Sequence, residues 1–345
     1  MNFSSPEHKN HIQSSKQPRF PKYYNAPLAV NLLLLIFIAV TSFLTAFTPG
    51  LLLPLIFACI CAALCAVYHT LNLSVLWLLS LVAAATAAAL IDASVLSVFY
   101  ALFPLPMALA LMVSMMHRLK KTVTIAITAF ALAVTILLLF AILVFVTYKT
   151  ITPNILRDLY NSYFTELHDV MLPALRDNPA LNTEEMQALA VNLLNASITA
   201  LKLTTPGFLA ITCQIFALIA VNAYVFFANK FHCPLLYPKD YRFRISRITA
   251  LIFILFFIIG MFSSQAALMY HVSNNMVLTL MPGLFFMGCI SLKRRAKNPA
   301  QRRSLIFSIV LIVLAFFIAP SFIPFVFVVD GIGEVFTVPH LTPKE

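Results

Sequence analysis

Between Lys22 and Arg118 the chain carries one formally charged side chain, Asp92. Soluble domains average about 25% charged residues; this chain has 10%, is 61% hydrophobic and has a mean hydropathy of +0.93. That much apolar surface exceeds what a water-soluble core can hide, so lipid must solvate part of it. The stretch Asp92–Lys121, DASVLSVFYALFPLPMALALMVSMMHRLKK, is the reference point. A Pro-Leu-Pro break interrupts its apolar run and a basic block ends it.

A hydrocarbon core about 30 Å thick needs about 20 apolar residues of helix. Residues 27–47, 51–68, 73–91 and 95–116 supply four spans before the basic block. Residues 122–148, 207–229, 248–268 and 276–292 supply four more, with His271, Ser273 and Asn274 expected in a short outer turn. The run 304–329, interrupted by Pro320 and Pro324, is longer than one crossing requires. It predicts one kinked ninth span with the C-terminus outside, or, as the lesser expectation, a span and a re-entrant piece that returns it inside. The fold class is therefore all-α, a polytopic bundle of about nine spans. Its segments are a disordered basic tail at 1–25, membrane spans at 26–148 and 206–330, a helical insert at 149–205 and a tail at 331–345.

Charge sets the expected orientation. Four basic residues lie in the N-terminal tail, three in HRLKK, five in 230–247 and six in 293–303, so 18 of the 23 Lys and Arg fall on one side of the alternating spans. Basic segments stay in the cytoplasm during insertion, which predicts a multi-pass membrane protein with a cytoplasmic N-terminus. The net charge of +11 is explained by this sorting and by anionic headgroups, and no nucleic-acid partner is expected.

Residues 149–205 differ in kind. Asp158, Glu166, Asp169, Asp177, Glu184 and Glu185 outnumber Lys149, Arg157, Arg176 and Lys202. Thr152-Pro153 is a helix-start signal. Leu156, Leu159, Tyr160, Tyr163, Leu167 and Val170 then recur at helical spacing. Asn182 and Glu185 resemble a capping box that opens a second helix with Met186, Leu189, Leu193 and Ile198 on one face. These predict two short amphipathic helices outside the membrane.

No phosphate loop of the form GxxxxGK, no HExxH and no GxSxG occurs. Neither enzyme activity nor a cofactor is expected, and the six cysteines lack metal-ligand spacing. The candidate ligand-binding residues are Asp92, Tyr100, Pro104, Pro106 and Asn222. An acid near membrane depth marks a ligand path or caps the next helix. A proline-broken span exposes backbone to a cavity or is satisfied by its neighbours, such as Ser97 or Tyr100. Asn31, Gln214, Asn222 and Gln265 are amides suited to interhelical hydrogen bonds or to a ligand.

The segments FPLPMALALMVSMMHRLKK at 103–121, TTPGFLAITCQIFALIAVNAY at 204–224, YRFRISRITALIFIL at 241–255 and the apolar run ending at Asp330 resemble the YybS-like predicted bacterial membrane proteins, domain of unknown function 2232. That family is distantly similar to the S components of energy-coupling-factor transporters. The resemblance implies a subunit of the bacterial inner membrane that binds a small molecule between helices near the outer face and leans on a separate coupling subunit for energy. The competing expectation is a membrane scaffold or regulator whose helical insert or basic loops bind another membrane protein.

Overall fold

A computed structural model describes residues 27–50, 52–92, 94–176, 183–231, 233, 243–264, 267–298 and 301–337. The N-terminal tail, Asn182, Gln265, most of the basic loop before Phe243 and the last eight positions lie outside the described residues. Every regular element among those described is helical. In chain order these are α1 (Leu28–Phe47), α2 (Leu52–Asn72), α3 (Trp77–Ile91), α4 (Val95–Leu102), α5 (Pro104–Met116), α6 (Lys121–Tyr148), α7 (Pro153–Arg176), α8 (Glu184–Lys230), α9 (Arg247–Phe262), α10 (Leu268–Lys297), α11 (Arg302–Ile318) and α12 (Ile323–Thr337). Six are long and apolar enough to cross a membrane: α1, α2, α4 with α5, α6, α8 and α10. Helices α3 and α9 are apolar but shorter.

The bundle is built around α2. From Cys61 to Val67 every residue of α2 is buried, because α1, α5 and α8 surround it. Alanine and cysteine fill this stretch, and small side chains let helix backbones approach closely. The cysteines behave as packing residues: all six are unpaired, and the Cys59 and Cys61 thiols donate to the carbonyls of Phe216 and Ile38. Amides tie helices together as well. Asn72 donates to Asn31 at 2.8 Å, joining α1 to α2, and Gln214 donates to the Thr279 carbonyl at 2.7 Å, joining α8 to α10.

A second, smaller buried cluster gathers Ala250, Phe253, Leu284, Met287, Val328 and Val335 from α9, α10 and α12. Its closest seam is between Gly288 and Gly331, where each helix lies against the other's backbone. Rings of Phe285 and Phe327 stand 4.9 Å apart, and Arg294 pairs with Glu334 at 2.7 Å. These contacts ascend together along both helices, so α12 runs parallel to α10.

Three expectations need correction. The run 304–329 is two helices folded back at Ala319–Phe322, with α12 ending beside the basic end of α10; the Gly288–Gly331 contact and the acidic partners of Arg294 and Arg295 hold it there. The second helix of the insert is not short. It continues through Pro206 as a 47-residue helix, about 70 Å long at 1.5 Å per residue. His271, Ser273 and Asn274 lie within α10, not in a turn. At the start of α8 the described cap is Thr183, whose hydroxyl accepts from the Met186 N–H at 3.2 Å. Helix α7 begins at Pro153 as the sequence predicts and packs on α8 through Phe164 and Leu194, both buried.

A Cβ at Gly288 would stand 2.0 Å from the Phe327 carbonyl oxygen, and one at Gly331 the same distance from that of Leu284. Neither backbone can move without parting the helices. Gly288→Ala and Gly331→Ala should each cost at least about 1–3 kcal/mol in thermal unfolding of the detergent-solubilised protein. Gly333→Ala, which meets nothing within 4 Å, should be neutral or stabilising by up to about 1 kcal/mol.

Candidate ligand-binding site

Pro206 and Pro282 stand inside α8 and α10, and Pro104 opens α5; a proline in an apolar helix frees backbone groups that lipid does not satisfy, and two of these three, Pro104 and Pro206, adjoin cavities. Pro104 occupies the first position of α5, where its missing N–H is least costly. Phe103 keeps right-handed helical geometry, so α4 and α5 nearly continue one another. The carbonyl that loses its i+4 donor at Pro104 is that of Tyr100. It accepts from the Phe103 N–H at 3.2 Å and from the Thr45 hydroxyl at 2.6 Å, and the next carbonyl, of Ala101, accepts from Ser42 at 2.6 Å. Both donors are buried on α1.

A cavity of about 440 Å³ opens beside this break. Tyr100 and Phe103 form one wall, Thr45 and Thr48 another, and Leu139 and Thr212 close it from α6 and α8. No charged side chain lines it. The hydroxyls of Thr45, Thr48 and Thr212 donate to helix carbonyls, which leaves their oxygens free to accept. The Tyr100 phenol makes no hydrogen bond to another described residue and is available to donate. The site is thus apolar with a few hydroxyls, suited to orienting an uncharged molecule. Among the described residues no three His, Cys, Asp or Glu side chains converge as a metal site.

Of the five residues singled out from sequence, Tyr100 lines this cavity. Pro104 is buried and Pro106 half-buried beside it, and neither contributes to the lining. Asp92 is exposed at the end of α3; its carboxylate accepts from the Ser94 N–H at 3.1 Å, while Ser94 itself caps α4. Asn222 is an exposed amide that accepts from the Lys121 ammonium at 2.7 Å. It lies about 15 Å further along α8 than Thr212, near the basic end.

The second break is at Pro206 in α8. The Lys202 carbonyl that it frees accepts from the Tyr160 phenol on α7. The following rung, from Gly207 N–H to the Leu203 carbonyl, is gripped by one side chain of α10. Asn275 accepts from Gly207 at 2.8 Å and donates to Leu203 at 2.9 Å. Sequence reasoning passed over Asn275 because its neighbourhood reads as a turn. The signal was Pro-Gly within a long apolar run, which demands a polar partner from another helix.

Beyond the end of α8, burial pushes the Cys233 thiol up to about 12, so it stays protonated and inert at neutral pH.

The apolar helices, the small-residue seams and the internally satisfied proline breaks define a multi-pass helical membrane protein. The family described as predicted membrane protein (DUF2232) matches residues 33–328, and the chain belongs to it. No curated protein and no solved structure matches the chain.

Asn275→Leu removes both bonds to the Pro206 rung. Interhelical hydrogen bonds in membranes average about 0.6 kcal/mol each, and stranded buried groups add to the loss. The variant should lose about 1–3 kcal/mol in detergent unfolding. Asn275→Asp keeps the acceptor for Gly207 but sets a carboxylate oxygen against the Leu203 and His271 carbonyls, so at neutral pH it should lose at least as much.

Proposed function

We propose that this protein is the small-molecule-binding subunit of a transport system, similar in role to an S component, without an ATPase of its own. The observation that carries the reading is the 440 Å³ cavity between α1, α2, α4, α6 and α8, apolar, uncharged and fringed by hydroxyls beside a proline-broken span. Pockets of this size and lining hold ligands by apolar burial and orient them by a few polar groups. Energy for transport comes from a separate coupling subunit that meets the basic end of the bundle, where Lys230, Arg244, Arg247 and Arg302 collect. That end faces the cytoplasm, by the sorting of basic residues, and the α7–α8 hairpin faces the other side of a bacterial inner membrane.

A second reading makes the chain a scaffold. It is favoured by Tyr163, Val170, Met186, Leu189 and Leu193, large side chains exposed on the α7–α8 hairpin. Deleting residues 153–201, which leaves the part of α8 that lines the cavity, separates the two. A scaffold loses its co-purifying protein, and a binding subunit keeps its small molecule.

Ala46 lines the cavity, and Ala46→Phe should fill it. Small molecules extracted from purified wild-type protein and identified by mass spectrometry should be missing from Ala46→Phe and present in Asp92→Asn. An unchanged extract from a well-folded Ala46→Phe protein rejects the site. Orientation is tested apart from this. Reporter fusions after Lys121 and between α7 and α8 should report opposite compartments, and the same compartment for both rejects the topology.

A further inference from the structure

The bundle holds a second and larger cavity, of about 770 Å³, away from the first. Helix α8 forms one wall; α9, α10 and the start of α12 form the other. Val277 on its α10 wall packs against the smaller buried cluster.

We infer that this cleft is a separate binding site for an uncharged amphipathic molecule with a polar head and a long apolar chain, of the monoacylglycerol kind. Its lining changes character along its length. Ser197, Ser263 and Tyr270 mark one end; Phe208, Phe257 and Phe325 mark the other. From Ser197 to Phe208 the wall descends about 16 Å along α8, so head and chain meet different surfaces.

The polar end has free hydrogen-bonding capacity. The Thr204 and Ser263 hydroxyls donate to the carbonyls of Ala200 and Ile259, leaving acceptor oxygens. The half-buried Asn274 side chain lines the cleft and makes no hydrogen bond to another described residue, so a carbonyl and two N–H donors await a partner. A hydroxyl- or ester-bearing head satisfies such a group. A charged head does not, because no Lys, Arg, Asp or Glu lines the cleft and an unpaired charge is costly to bury.

Gly260 provides the means of closing the site. A Cβ there meets Asn274 and Ser273 at 3.5 Å, ordinary contact, so alanine fits and a longer side chain extends into the cleft.

The test is photolabelling of the full-length protein in nanodiscs by a monoacylglycerol with a diazirine in its acyl chain. Labelling should concentrate on peptides containing Phe208, Phe257 or Phe325, survive in Gly260→Ala and be lost in Gly260→Leu. Asn274→Leu should weaken it, and Ala46→Phe, which fills only the first cavity, should leave it intact. Label spread evenly over α6 and α11 and unchanged by Gly260→Leu overturns the site as ordinary lipid contact. Equal labelling by an anionic fatty acid of the same chain overturns the assignment of an uncharged head. Loss of labelling in Ala46→Phe overturns the independence of the two cavities.

Discussion

A helix in hydrocarbon has no water to complete its hydrogen bonds, so every proline placed in one obliges another helix to supply the missing partner. Much of the arrangement follows from two such debts. Pro104 frees the Tyr100 carbonyl, and Thr45 of α1 answers it while Ser42 binds the carbonyl beside it. Pro206 frees the Lys202 carbonyl, answered by Tyr160, and disturbs a rung held by Asn275. The first set of bonds fixes α1 against α4. The second fixes α8 against both α7 and α10. Each cavity lies next to one of these prolines: Tyr100 and Phe103 line the first, and Thr204 and Phe208 line the second.

The two buried clusters give the bundle its division of labour. Around α2 the packing is close, carried by alanine and cysteine over two turns without exposure. Around α10 it depends on one glycine pair and on charged residues at the helix ends. Helix α8 belongs to the first cluster by its buried face and reaches the second through Asn275 and Thr279. A second link runs from α6, where Thr122 bonds the backbone of Arg244 just before α9, and Phe243 packs against both clusters.

The sequence was most legible where lipid dictates the answer. Runs such as 27–47 and 122–148 have one stable form in hydrocarbon, and α1 and α6 match them to within a residue at either end. It was less legible where a proline allows two outcomes. Pro206 reads equally as a boundary between a surface helix and a span, and only Asn275, 69 positions on, keeps the helix continuous. Pro320 and Pro324 suit a kink or a reversal; contacts made by Gly331, Asp330 and Glu334 decide for reversal. Among the candidate residues, Tyr100 was placed by the break it adjoins. Asn222 was drawn in because an amide in an apolar run lacks an evident partner, and that partner, Lys121, is brought in only by the fold.

The reversal at Ala319–Phe322 also changes what the basic residues mean. Counted along the sequence, Arg294 and Arg295 are two more charges in a block that sorts to one side. In the folded chain they are the partners of Glu334 and Asp330, at 2.7 and 3.0 Å. Arg295 and Asp330 are both largely buried, and removing one member of such a pair strands the other, at a cost of about 3–5 kcal/mol; the more exposed Arg294 makes its pair with Glu334 the weaker of the two. Carboxylates in a terminal apolar helix would otherwise oppose its entry into lipid. Beside the arginine-rich end of α10 they are neutralised, and the close Gly288–Gly331 seam brings α12 near enough for the pairs to form. Residues that read in the sequence only as part of a basic block are, in the fold, also the counter-charges of the last described helix.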